Sequence, residues 1–349
     1  MDSAVRDSRT SGIAYLDKDR IATVGPGELP AERPGTGVGD VCLDVAYTGI
    51  CGTDLLVWHG GLQRVVPPVV LGHEFVGRIA EPGSSGLAVG APVAVEPLLH
   101  CGSCWACRNG AAHVCRKLRL IGVDVDGGAA GQVRVPAGKL HPLPADADLR
   151  TFALTEPTAV AVHMVHRSEF RDGDYVLIFG GGPIGALIAL VARERGARGL
   201  VLAEPNPVRR GLLNELGIRT VDPDEVAGIV ETETDGEGAD VTFDVTGHPS
   251  AIAVAPLLTR VRGTVLVGGL FGTPPEVPLQ PVTLREQRLV GARVYTPEHM
   301  DEAIALLAAG RLPVDGLITH EVGLDEAERA YRMLDADRSA MKVLIRVRP

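Results

Sequence analysis

The chain has 349 residues, 45% of them apolar, a length that exceeds one ordinary core and predicts two domains of a globular protein. With 34 Lys and Arg against 44 Asp and Glu it carries a net charge of −10, and with only 4% aromatics it lacks both the charge and the stacking surfaces that nucleic-acid binding needs. No apolar run reaches the roughly 18 residues of a membrane helix and Met1 to Thr10 is polar, so cytoplasmic residence is expected, and the six cysteines read as metal ligands rather than disulfides.

Gly12 to Val24 reads as strand material, followed by a Pro/Gly-rich connection from Gly25 to Gly39. Val41, Leu43 and Val45 alternate with Cys42, Asp44 and Ala46, which predicts a half-buried strand that delivers Cys51 to a loop. Cys42 has no partner at ligand spacing and is taken as structural. Val69 to Leu71 leads into Gly72-His73-Glu74, and Val76 to Ala80 and Pro92 to Val95 are further short strands, so the first domain is expected to be β-rich.

Cys51, His73 and Glu74 offer a soft, a borderline and a hard donor, the mixture zinc accepts where one coordination position stays open. A buried cysteine and a core histidine are the plainer reading of such residues taken alone. Three later features favour a catalytic metal site: a second carboxylate at Glu156, a four-cysteine cluster and a glycine fingerprint. The cluster, Cys101-x-x-Cys104-x-x-Cys107-x7-Cys115, can close a tetrahedral sphere with no open position, which predicts a structural zinc that stabilises a surface lobe over residues 96–118.

Tyr175 to Phe179 is an apolar strand running into Gly180-Gly181-Gly182-Pro183-Ile184-Gly185. Ile184, Leu187, Ile188 and Val191 then recur at helical spacing, with Pro183 in the first turn and Gly196 past the end. Strand, G-x-G-x-x-G, helix is the dinucleotide fingerprint: Gly180 for the tight turn, Gly182 for close approach to a pyrophosphate, Gly185 for close helix packing. The next strand, Leu200 to Ala203, ends at Glu204, whose carboxylate suits both ribose hydroxyls and favours NAD; Arg209 and Arg210 keep NADP as the alternative. A helix capped by Asn206 and stopping at Gly217, strands at Asp240 to Val245 and Thr264 to Val267, and a helix between them from Pro249 to Leu258 continue the alternation into a doubly wound parallel sheet. Helices carrying Met300 and Leu307, then Tyr331 and Leu334, precede a closing strand from Lys342 to Val347.

The order Gly49-Ile50-Cys51-Gly52-Thr53-Asp54, Gly72-His73-Glu74, the 101–115 cysteines, Glu156-Pro157 and Gly180 to Gly185 resembles the zinc-dependent medium-chain alcohol dehydrogenases along essentially the whole chain. Glu156 in place of cysteine, with Glu96-Pro97 before the cluster, is similar to the polyol branch that includes sorbitol and threonine dehydrogenases. The resemblance implies a GroES-like catalytic domain (residues 1–155 and 295–349), a Rossmann domain (156–294), two zinc ions per chain, and a homodimer or homotetramer. It implies a catalytic zinc held by Cys51, His73 and either Glu74 or Glu156, with the Thr53 hydroxyl as proton relay. The implied reaction interconverts a secondary alcohol and a ketone on a polyol, sugar or cyclitol-like substrate, with a hydroxy amino acid as the alternative substrate and a non-catalytic dinucleotide-binding zinc protein as the alternative function. Two positions depart from the family pattern. Leu56 stands where a relay histidine is common, with His59 either a substitute or an exposed loop histidine, and Ala129 stands where a pocket phenylalanine is common, which predicts a wider substrate pocket. His163 and His166 could line the cleft, with helix packing the plainer reading of both.

Overall fold

The computed structural model describes residues 11–25, 28, 39–337 and 339–348. Met1 to Thr10 and most of the Gly25 to Gly39 connection lie outside them. The chain divides into two compact units, one comprising the residues up to Glu156 with those from Ile318 onward, the other Pro157–Leu317.

In the first unit the alternation around Val41 becomes the ten-residue strand Val41–Ile50, and this strand organises everything near it. It pairs antiparallel with Glu74–Glu81 on one side and with Lys342–Arg346 on the other. Gly49 stands opposite Glu74 in one register and opposite Leu344 in the other, while Ile50 stands opposite Val343. The end of the strand at Ile50 is therefore flanked by the first residues of two strands that lie far apart in sequence. The same sheet carries Leu140–Pro142, Pro92–Val95 and Ile318–Gly323, and Gln132–Val135 also pairs with the organising strand. Val41, Leu43, Val45, Phe75, Ile79, Val93, Val95 and Val133 face one apolar core, where each side chain removed from water contributes roughly 1.5–3 kcal/mol. Gly12 to Val24 forms not one strand but a hairpin, Gly12–Asp17 with Arg20–Val24, turning at Asp19, whose φ is 60°.

The second unit is a six-stranded parallel sheet in the order Thr220–Val221, Gly199–Ala203, Tyr175–Phe179, Ala239–Asp244, Thr259–Val267, Arg288–Gly291. Its strand Tyr175–Phe179 is apolar and buried at every position, as a parallel strand covered on both faces requires. Strand order reverses beside Tyr175–Phe179, where the glycine loop leaves the sheet.

Residues 295–317 sit with this second unit rather than with the first, 23 residues beyond the boundary the resemblance suggests. The reason is packing: Tyr295, Met300, Ala303 and Leu307 are buried, and His299 lies edge-on against His163 with ring centroids 5.0 Å apart. His163 and His166 are thus helix-packing residues, His166 also bonding Glu302 at 2.9 Å.

Candidate metal centres and dinucleotide loop

Cys51 lies at the N-terminus of the helix Gly52–Trp58, a helix that the motif alone does not announce. Its backbone N–H donates to Asp54 Oδ2 at 2.8 Å, and the other oxygen of that fully buried carboxylate lies 3.2 Å from His73 Nδ1. Asp54 therefore orients the imidazole, and a proton on Nδ1 shared with it leaves Nε2 as the free donor atom. Gly72 delivers His73 from a φ of +93°, and a Cβ at that position would stand 2.6 Å from Ala129 N and 2.7 Å from Thr48 Oγ1, so the preceding residue has to be glycine.

The ligand atoms of Cys51, His73 and Glu74 all lie within 4.8 Å of one another. Glu74 is 2% exposed, and its Oε2 accepts from Lys342 Nζ at 2.6 Å; the same ammonium donates to Ile50 O at 3.3 Å. Burial opposes charge on Glu74, but the Lys342 and His73 charges outweigh it and hold the carboxyl below its usual range. Burial likewise opposes a proton on His73, yet the charges of Asp54 and Cys51 hold its pKa well above normal. The field that favours a proton there favours a divalent cation in its place, and the sulfur, nitrogen and oxygen donors fit zinc.

In the surface lobe, Sγ–Sγ distances are 4.0 Å for Cys101 and Cys107, 3.5 Å for Cys104 and Cys107, and 3.8 Å for Cys104 and Cys115. A tetrahedron with Zn–S bonds of about 2.3 Å has edges of about 3.8 Å, whereas a disulfide requires about 2.05 Å, so the four thiols fit a closed zinc sphere. Hydrogen bonds from Ser103 and neighbouring groups bring the Cys101 thiol down to about 5, while burial and the adjoining thiols push Cys107 up to about 11, as four sulfurs crowded round one point share charge unevenly.

In the second unit the strand Tyr175–Phe179 leads through Gly180, Gly181 and Gly182 into the helix Pro183–Glu194, with Gly182 as its N-cap and Pro183 in its first turn. Gly182 faces open space in which Arg209 Nη1 lies 3.8 Å from where a Cβ would stand. Ile184 and Gly185 complete the first turn. Glu204 follows Gly199–Ala203 and reaches back to this loop.

Two family descriptions match the chain: the alcohol dehydrogenase GroES-like domain over residues 37–145 and the zinc-binding dehydrogenase domain over residues 183–309. The chain is 40% identical over 312 residues to the 2-dehydro-3-deoxy-L-galactonate 5-dehydrogenase of Pseudoalteromonas atlantica, covering 88% of this chain and 91% of that protein. It belongs to the zinc-dependent medium-chain alcohol dehydrogenases, in their polyol branch. Sorbitol dehydrogenase of Halalkalibacterium halodurans is 34% identical, over 91% of this chain and 94% of its own length. The crystal structure of L-idonate 5-dehydrogenase from Escherichia coli superposes with a TM-score of 0.86 at 29% identity, covering 97% and 98% of the two chains.

In this dehydrogenase the other expected site residues fall as follows. Thr53 is half-buried in the first turn after Cys51. Glu156 is buried in the first turn of the helix Thr155–Arg167 and is not a member of the Cys51, His73 and Glu74 group, although its charge acts on Lys342. His59 has its two ring nitrogens at Asp19 (2.7 Å) and Asp335 (3.1 Å), as a surface ion-pair residue does, and the hydrogen bonds to Asp19 and Asp335 raise its pKa. Ala129 is completely buried, donating to Leu71 O at 2.9 Å and accepting from Ile13 N at 2.8 Å, so its methyl fills a packed position and lines no open cavity. Two residues of the centre had no motif to mark them, Lys342 and Tyr331, and a third, Asp54, ends the Gly49 to Asp54 motif but was given no role there. Tyr331 is fully buried, with its hydroxyl lacking a hydrogen-bond partner among the described residues, and feels the charges of Asp54, Cys51 and Glu74. The only trace of Lys342 in sequence is a cation opening a strand whose next three residues are apolar.

Proposed function

We propose that the chain oxidises a secondary alcohol of a polyol, sugar or sugar acid to the ketone, and runs the reverse reduction, with a nicotinamide dinucleotide as hydride carrier. The observation that carries this reading is the buried convergence of Cys51, His73 and Glu74 at the end of one strand in a chain that also holds the glycine loop. The 40% identity to a sugar-acid dehydrogenase supports a substrate with several hydroxyls.

Cys51 and His73 are proposed as ligands of the catalytic zinc with Glu74 or Glu156, and Cys101, Cys104, Cys107 and Cys115 as ligands of the structural one. When bound, the zinc supplies Lewis acidity toward a hydroxyl oxygen and the dinucleotide an acceptor for hydride. Around it, Asp54 keeps the His73 ring in one tautomer, and Lys342 holds Glu74 Oε2 by a charge-assisted hydrogen bond. Thr53 takes the substrate's proton on its hydroxyl and passes it on, and Gly180, Gly182, Pro183, Ile184 and Gly185 with Arg209 receive the pyrophosphate.

We also propose self-association, as a dimer or tetramer, through the second unit. Arg288–Gly291 is an edge strand of its sheet, and Leu270, Leu279, Leu284 and Leu289 stand exposed at 79%, 59%, 75% and 43%. Light scattering that returns a monomer mass rejects this part. Among the described residues no helix is long and apolar enough to cross a membrane.

The direct test is a screen of polyols, sugar acids, cyclitols and threonine in both directions with NAD and NADP, read by nicotinamide absorbance. A multi-hydroxyl substrate turned over by the wild type and not by Cys51→Ser, with dinucleotide binding kept in the variant, supports the reading. Turnover in Cys51→Ser rejects it.

A further inference from the structure

The loop 292–296 leaves the last strand of the parallel sheet at its carboxyl end, the side on which open α/β sheets place their ligands. Ala292 N donates to Val267 O at 3.0 Å, which ties the start of the loop to the neighbouring strand. Two residues on, Val294 stands at a φ of 46°, a conformation that a β-branched side chain resists, so the segment has to be held from its far end as well. Tyr295 there is completely buried, and Thr296 is the N-cap of the helix Pro297–Ala308. Glutamate or glutamine commonly reaches back to the N-cap amide from the third helical position, and here that position is His299. Thr296 N donates to His299 Nδ1 at 3.2 Å, Thr296 Oγ1 lies 2.9 Å from the same nitrogen, and His299 N donates to Thr296 O at 3.0 Å. An imidazole accepts at Nδ1 only while it is neutral, with its proton on Nε2.

We propose that His299 is a positioning residue for the dinucleotide: its neutral ring caps Pro297–Ala308 and so holds the loop 292–296, and a proton on that ring releases the loop and weakens dinucleotide binding in mild acid. The inference rests on the reading above that the second unit takes a nicotinamide dinucleotide. A proton on Nδ1 would turn the acceptor into a donor facing the Thr296 amide, and it would place an imidazolium in the first turn of a helix, where the dipole opposes positive charge. The neighbours of the half-buried ring are mostly groups that carry or gain positive charge in acid. From the helix Thr155–Arg167, His163 Nδ1 lies 3.4 Å from His299 Nδ1 and the His166 ring centroid 4.9 Å from that of His299. Arg195, just past the helix Pro183–Glu194, donates to His166 Nε2 at 2.7 Å and to Glu302. Burial first, then His166 and Arg195, hold His299 below the ordinary imidazole value, against Glu302 and Glu298 on its own helix. A histidine held low in the folded state costs nothing above its unfolded value, and the cost grows as pH falls through that value toward the folded one, so the loop is expected to loosen below about pH 6.5.

The test is amide hydrogen exchange of the dinucleotide-free protein, expressed as protection factors over residues 292–299, beside calorimetric binding of NAD. Both are run on the wild type, His299→Gln and His299→Ala at about pH 7.5 and about pH 5.5, either side of the ordinary imidazole value. At the lower pH the wild type is expected to lose protection in the loop and to bind NAD about five- to tenfold more weakly, the scale of one lost cap. His299→Gln, which keeps an acceptor that does not titrate, should hold both quantities within about twofold between the two pH values and carries the comparison should the alanine variant not fold. His299→Ala should show at the higher pH the weak binding and low protection that the wild type shows only in acid. A glutamine variant that follows the pH dependence of the wild type overturns the proposal, because another group then carries it. So does an alanine variant with wild-type protection and affinity at the higher pH. If exchange behaves as described but the wild type binds no NAD at either pH, the dinucleotide reading falls and the affinity claim with it, whereas exchange that is the same in all variants at both pH values rejects the cap itself.

Discussion

Replacing Lys342 by methionine tests the charge arrangement of the catalytic centre. Its ammonium and the Glu74 carboxylate are 3% and 2% exposed and 2.6 Å apart, so the pair is screened by almost no water. Removing one member of such a pair strands the other as a buried charge, and the loss is about 3–5 kcal/mol, far more than the 0–1 kcal/mol of an exposed pair. For a domain of the first unit's size that corresponds to a drop in melting midpoint on the order of 10 °C. Glu74→Gln combined with Lys342→Met removes both charges at similar volume and should recover all but about 1 kcal/mol of the loss. Differential scanning calorimetry of the two single variants and the double variant reads the cycle. If Lys342→Met lowers the midpoint by less than about 2 °C, or if the double variant loses the sum of the singles, the pair does not hold the centre together and the reasoning fails.

Other outcomes follow from neighbouring features. Cys104→Ser opens the lobe's tetrahedron, in which Cys104 Sγ stands 3.5 Å and 3.8 Å from two other sulfurs; the midpoint should fall and limited proteolysis should cut within residues 96–118, while dinucleotide binding is kept. Burial pushes the Glu96 carboxyl up, but the His141 ring 3.8 Å away and the Lys139 ammonium, which donates to Glu96 Oε1 at 2.7 Å, hold it below its usual range. A carboxyl depressed in the folded state contributes stability above its unfolded value and loses it as pH falls through the folded one. Glu96→Gln should therefore be less stable than the wild type at neutral pH by about 1–3 kcal/mol, and the gap should close in acid; a gap that does not change with pH contradicts this. Gly72→Ala, forced to keep a φ of +93° and to place a methyl against Ala129 N, should lose at least about 2 kcal/mol and weaken zinc retention against a chelator.

What was legible in the sequence was local. Tyr175–Phe179 and its glycine loop could be read because strand, turn and helix signals are contiguous, and the helix Pro249–Leu258 because its ends are marked. Cys51, His73 and Glu74 could be suspected because a short segment of chain joins them. Lys342 could not, because it meets Glu74 only through strand pairing across 268 residues, and an isolated lysine at a strand start ordinarily faces solvent. The surroundings of Ala129 were hidden for the same reason: a substituted position suggests space, whereas here the residue is completely buried and its carbonyl accepts from Ile13 N at 2.8 Å, a partner 116 residues away. The grouping of residues 295–317 with the second unit was not legible, because a helix's apolar face does not say which sheet it will cover.

The most direct measurement of the central claim is the zinc content of the purified, dialysed chain by plasma mass spectrometry, for the wild type, Cys51→Ser and Cys104→Ser. The account predicts two zinc ions per wild-type chain and one in each variant, with turnover absent only where the Cys51 site is the one emptied. One ion in the wild type that survives Cys51→Ser, or none at all, would contradict it.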